Sequence, residues 1–167
     1  MEQEGGKAGS FLDCSERVIG ACIEVHRELG PGQVESAYEQ CLAYEFGLCG
    51  LRFEQQLPLQ ARYKGIALEH SYRVDFLVES ALVVEVKAID RLLPVHEAQV
   101  ITYLRLLGVE TGLLVNFHSD TIKRGLRRLT LKSPFPPSRL SANPSKASEG
   151  QTATKSNEGP ADHMAPR

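Results

Sequence analysis

"VDFLVESALVVEVKAID", residues 74–90, decides the reading of the whole chain. Two apolar runs flank Ser80, as in a β-hairpin. Yet the first carries Asp75, and the second carries Glu85 and Lys87. Side chains alternate along a strand, so Tyr72, Val74, Phe76 and Val78 are expected on one face, with Asp75 on the other. Glu85 and Lys87 share a face opposite Val84, Val86 and Ala88. A three-residue turn, Glu79-Ser80-Ala81, makes the pairing symmetric about Ser80 and sets position 75 across from position 85. Directly opposed carboxylates about 4.5–5.5 Å apart at Cβ repel one another. A two-residue turn would shift the register and relieve the repulsion. In the odd register the pair calls for a cation, and oxygen ligands with room for water and a phosphate suit Mg²⁺ or Mn²⁺. Lys87 then stands where an ammonium can orient an attacking water and offset charge building on a phosphate. The alternative from the hairpin alone is a solvent-facing strand pair with a Lys–Glu contact.

Three features outside the hairpin bear on that choice. Gln99 and Tyr103, with His96 one turn earlier, share one face of the helix expected over "LPVHEAQVITYLRLLG". Glu35 opens the helix expected over "QVESAYEQCLAYEFG", where it either complements the helix dipole or reaches the sheet as a third acidic ligand. Lys123, Arg124, Arg127 and Arg128 recur at one-turn spacing in "SDTIKRGLRRLTL", expected to be a last helix capped by Ser119 or Asp120. Such a local basic patch is what a chain of formal net charge −2 needs to hold a phosphate backbone. A solvated helix face would look the same.

The remaining segments set these features in a fold. "FLDCSERVIGACIEVHRELG" reads as a helix stopped by Gly30-Pro31-Gly32. The second helix is expected to close at Gly47. "LRFEQQLPLQARYKG" alternates as one or two strands interrupted at Pro58, and "ETGLLVNF" is a strand buried on both faces. The expected architecture is α/β, a central mixed sheet flanked by helices. With 167 residues and 42% hydrophobic content the chain suits one domain, expected over residues 11–132. Residues 1–10 and the Ser/Pro/Lys-rich stretch 133–167 have too little apolar periodicity to form a core and are expected to be disordered. No signal core or membrane-length apolar run appears, so the expected location is cytoplasmic, with no membrane partner. Cys14, Cys22, Cys41 and Cys49 form no CxxC pair and read as buried thiols. A Cys-ligated iron–sulfur cluster is a rival reading.

In "GQVESAY" the residues Gly32, Glu35 and Tyr38 resemble the GxxExxY signature. Asp75, Glu85 and Lys87 resemble the PD-(D/E)xK nuclease core, with Val74 where the pattern's name has Pro. Gln99 and Tyr103 resemble the QxxxY motif of RecB-like members. These motifs occur in the expected order and span Val18 to Leu129. The resemblance implies a restriction-endonuclease-like core and metal-dependent hydrolysis of phosphodiester bonds, in DNA repair, recombination or defence. It places Glu35, Asp75, Glu85 and the Val86 carbonyl at Mg²⁺ or Mn²⁺. Lys87 positions the water, while Gln99 and Tyr103 buttress the site or touch the nucleic-acid backbone. The implied products are a 5′-phosphate and a 3′-hydroxyl. DNA is the expected partner, RNA the other candidate, and a homodimer would help so small a domain hold a duplex. The competing reading is a non-catalytic nucleic-acid-binding or protein-interaction module that retained the fold. Chelator-insensitive DNA binding would mark it.

Overall fold

The structure, a computed structural model, describes residues 7–68, 72–131 and 140–144. Helix α1 (Lys7–Leu29) and helix α2 (Glu35–Leu48) come first, followed by strand β1 (Phe53–Tyr63) and the short β2 (Ile66–Ala67). Strands β3 (Tyr72–Val78) and β4 (Leu82–Lys87) form the hairpin read from the sequence. Helix α3 (Pro94–Leu107), strand β5 (Thr111–Asn116), the one-turn helix α4 (Ile122–Gly125) and strands β6 (Leu126–Thr130) and β7 (Leu140–Pro144) complete the order. The sheet runs β2-β1-β3-β4-β5-β6, with β7 also on β1. It is mixed, because β4 and β5 are parallel and the other pairs antiparallel.

Each face of the sheet buries its own apolar layer. Val18, Cys22 and Val25 of α1 and Tyr38, Leu42 and Phe46 of α2 close over Phe76, Val84, Val86 and Val115. On the other face Val100, Tyr103 and Leu104 of α3 cover Leu59, Val74, Val83 and Leu114. Cys14 and Cys22 lie inside the first layer, and burial pushes the Cys22 thiol up to about 12. A thiol so hard to ionise is a packing group. Gly112 of β5 is a packing requirement too: a Cβ there would stand 2.6 Å from Val100 Cγ1, so its absence lets α3 settle onto the strand.

Local chemistry explains most of the helix ends. Gly30 (φ 65°) and Gly108 (φ 67°) adopt the left-handed conformation that ends α1 and α3. α2 passes through Gly47 and stops a residue later, with Gly50 (φ 63°) supplying the left-handed turn. β1 is one strand through Pro58, which pairs with Arg73 on one side only, because the β7 ladder begins at Leu59. A proline is tolerated where no partner requires its missing N–H.

Three expectations are corrected. "SDTIKRGLRRLTL" is not one helix: after α4 the chain becomes β6 along the open edge of β5. Thr121, and neither Ser119 nor Asp120, caps α4, its hydroxyl accepting the Arg124 N–H at 3.4 Å. Arg127 and Arg128 therefore alternate on a strand opposite Leu114 and Leu113, and Lys123–Arg127 and Arg124–Arg128 are not stacked helical pairs. Val74 does not share the layer of Phe76 and Val78 but joins the α3 layer. The alternation breaks at Asp75, opposite Gln56, which has the left-handed φ of 53°. Of the stretches expected to be disordered, α1 includes residues from Lys7, and residues 140–144 pair along β1. An edge strand with unpaired backbone groups accepts such a segment without needing an apolar core. The rest of those stretches lies outside the described residues.

Candidate active site

The β3–β4 register is Phe76↔Val84, Leu77↔Val83 and Val78↔Leu82, symmetric about Ser80 as the odd turn requires. Glu79 and Ser80 turn the chain with φ of 50° and 54°. Arg52 fixes this costly conformation, since its backbone N–H and its guanidinium both donate to the Glu79 carboxylate, at 2.8 Å and at 3.0 and 2.6 Å. The ladder stops at Phe76↔Val84, and beyond it the two strands bring Asp75 toward Glu85.

Both carboxyls are buried, Asp75 at 8% exposure and Glu85 at 1%. Asp75 Oδ2 accepts the Val86 N–H at 2.8 Å, so the side chain stands in for a strand neighbour. Glu85 Oε1 accepts from Lys87 Nζ at 2.7 Å. Glu85 Oε2 is buried with no hydrogen-bond donor. Burial, followed by the Asp75 charge, lifts the Glu85 carboxyl from 4.5 to about 7, with Lys87 opposing the rise. Burial also raises Asp75, against the Val86 N–H and Lys87. Burial alone would lower Lys87, but its hydrogen bond to Glu85 and the charges of Glu85, Glu35 and Asp75 outweigh that and raise it above 10.5. Lys87 is therefore a standing cation and a poor base at neutral pH.

Helix α3 brings the expected glutamine and tyrosine together: Gln99 Nε2 donates to Tyr103 Oη at 2.6 Å. Burial raises the phenol, the Gln99 bond opposes this, and the Glu85 and Asp75 charges raise it further. Tyr103 is thus a neutral donor within the field of both carboxylates. His96 does not join them. Its Nδ1 accepts the Leu93 N–H at 3.0 Å and closes the first turn of α3.

Glu35 begins α2, and its Oε2 accepts the Ala88 N–H at 3.3 Å, just past Lys87. Among the described residues no three His, Cys, Asp or Glu side chains gather as a ready-made metal cage. Glu35 therefore stands beside the carboxylate pair without closing it. Tyr38 is an anchor: its Oη donates to the Gly30 carbonyl at 2.7 Å and accepts the Gln33 N–H at 3.1 Å. Its ring stacks on Phe117 at 4.5 Å. Gly32, with φ 104°, supplies the backbone freedom of the same loop. The spacing of GxxExxY thus fixes a loop at its first and last positions and delivers Glu35 between them.

Three site residues escaped the sequence reading. Glu39, one turn after Glu35, accepts from Gln56 Nε2, which also reaches Asp75 Oδ1 at 3.3 Å. Burial, then the Asp75 charge, raises the Glu39 carboxyl. The four-residue step from Glu35 was the available signal; nothing marks Gln56 in the sequence. Asn116, buried at the end of β5, donates to the Ile89 carbonyl at 2.7 Å and accepts the Ile89 N–H at 3.1 Å. It fixes the segment that leaves Lys87. Of the basic residues, Arg124 pairs with Asp120 at 3.1 Å and Arg128 donates to Ser15 Oγ at 3.4 Å. Arg127 donates to the Arg124 carbonyl at 3.0 Å, and Lys123 is exposed on α4.

The donor set fits a hard divalent cation. Two buried carboxylates, one with an orphaned oxygen, are what Mg²⁺ uses when waters and phosphate oxygens complete its shell. No helix among the described residues is long and apolar enough to cross a membrane. One solved structure similar to the chain, described as "Crystal structure of SSO0001", is 18% identical, with a TM-score of 0.41 over 75% of this chain and 78% of that one. No curated protein matches. The model of the PD-(D/E)XK nuclease superfamily matches residues 12–129, from α1 through β6, and the chain belongs to that superfamily.

Proposed function

We propose that the protein is a divalent-metal-dependent nuclease that hydrolyses phosphodiester bonds of DNA, a GxxExxY member of the superfamily with a QxxxY helix. One observation carries this reading: Asp75 and Glu85 are buried together, Glu85 Oε2 lacks a donor, and the Lys87 ammonium touches the other oxygen.

Asp75, Glu85 and the Val86 carbonyl would hold Mg²⁺ or Mn²⁺, and Glu35 would hold the same or a second ion. Bound there, the ion supplies Lewis-acid polarisation of a phosphate oxygen and neutralises charge on the phosphate. Lys87 keeps its proton, so it donates to the attacking water and to the phosphate oxygens and offsets their growing negative charge. Gln99 holds Tyr103 in place, and the neutral phenol donates toward the substrate backbone. Lys123, exposed on α4, and the Arg124, Arg127 and Arg128 side chains supply cations for phosphate contacts from α4 and the edge strand β6.

A panel of duplex, single-stranded and branched DNA and RNA, with Mn²⁺, Mg²⁺ or chelator, tests this reading. Cleavage of DNA by the native protein, lost with chelator and with Asp75→Ala, is expected. DNA retention that ignores both chelator and Asp75→Asn, with no cleavage, would instead identify a binding module.

A further inference from the structure

We infer that Gln56 is a positioning residue for the metal-binding carboxylate Asp75; this rests on the reading of Asp75 and Glu85 as the ion's ligands. Gln56 is a strand residue in the left-handed region, φ 53°, where a side chain with a Cβ is disfavoured. Its position is also where the β1–β3 ladder is interrupted: Gln55 pairs with Phe76 and Leu57 with Val74, but no pair joins 56 to 75. The strands change faces at this point, Phe53 packing with the α1–α2 layer and Leu57, Leu59 and Val74 with the α3 layer. A glycine would adopt this φ without strain. The glutamine's side chain, however, makes a contact that glycine cannot.

That contact is a bridge. Gln56 Nε2 donates to Glu39 Oε2 of α2 and to Asp75 Oδ1 of β3. Asp75 Oδ2 is held independently by the Val86 N–H. One donor on each oxygen fixes the rotation of the carboxylate and turns it toward Glu85. Glu39, accepting from the same Nε2, holds Gln56 in its rotamer. The arrangement is an outer hydrogen-bond shell of the kind that orients a ligating carboxylate, and losing such a contact typically costs about 10–100-fold in metal affinity or activity.

Gln56→Gly separates the positioning role from a merely structural one, because it removes the amide and relieves the backbone. The test is calorimetric titration of native protein and Gln56→Gly with Mn²⁺ at pH 8, alongside their thermal unfolding in chelator. The expected result is a melting temperature no lower than that of the native protein, with Mn²⁺ affinity weakened by roughly 10-fold or more. Glu39→Ala, which removes one acceptor of the Gln56 amide and leaves its bond to Asp75 in place, is expected to weaken Mn²⁺ by less than Gln56→Gly. Equal Mn²⁺ affinity in native and Gln56→Gly protein overturns the positioning role while leaving the metal site standing. A native protein that binds no Mn²⁺ overturns both.

Discussion

Lys87 Nζ lies 2.7 Å from Glu85 Oε1, while the other oxygen of the same carboxylate is buried without a donor. One anion thus serves two purposes: it holds the ammonium in place and keeps a second, desolvated oxygen without a donor. Both the protonation and the chemistry of the site follow from this division.

Lys87→Ala removes a cation that is always charged. DNA cleavage in Mn²⁺ is expected to fall by roughly 10²–10³-fold, as when a single charge-stabilising donor is removed. Metal binding should persist, because Lys87 is not a ligand. Gel-based nicking kinetics beside a metal titration check the two halves.

The raised Glu85 carboxyl carries a sign. The unfolded chain releases this proton near 4.5 and the folded, metal-free protein only near 7, so the folded state binds more protons in between. Stability of the metal-free protein is therefore greatest below the lower value and falls as pH rises through about 7, by on the order of 1–3 kcal/mol. Glu85→Gln should flatten that slope. Urea unfolding in chelator at pH 4.5 and pH 8 measures it, and parallel slopes for the two proteins would contradict the assignment.

At Gly112 the fold leaves no room for a methyl group. Gly112→Ala places a carbon 2.6 Å from Val100 Cγ1, and Val100 is stiff about its Cβ. The expected loss is about 1–3 kcal/mol in denaturant unfolding. Gly112→Ala combined with Val100→Ala should recover part of it. The single variant should also slow cleavage, because α3 carries Gln99 and Tyr103.

Tyr38 separates a structural motif position from a chemical one. Tyr38→Phe leaves the Gly30 carbonyl and the Gln33 N–H without the hydroxyl, which costs about 1 kcal/mol. Cleavage at a temperature where the protein stays folded should fall only a few-fold. A loss as large as that of Lys87→Ala would give the hydroxyl a part in the reaction.

The hairpin register was legible only up to a choice of turn: an odd turn centred on Ser80 gives the pairing found, a two-residue turn another, and the sequence did not decide between them. The contact between Gln99 and Tyr103 was legible from their four-residue step on a helix. What misled was "KRGLRRLTL", where Leu126, Leu129 and Leu131 fit a helix or a strand about equally well. The open edge of β5 decides between them, and that edge is a tertiary fact. Gly125 has a local part in it, since a Cβ there would stand 2.3 Å from the Asn116 carbonyl oxygen. Gln56 was illegible in principle. Its side chain reaches partners on α2 and β3 that are distant in sequence, and glutamine has no preference for its left-handed φ.

The most direct test is calorimetric titration of the chelator-treated protein with Mn²⁺ at pH 8, native beside Asp75→Asn. Saturable heat is expected from the native protein and at least a tenfold weaker response from the variant. No heat from the native protein, or the same curve from both, would contradict a divalent cation held between Asp75 and Glu85.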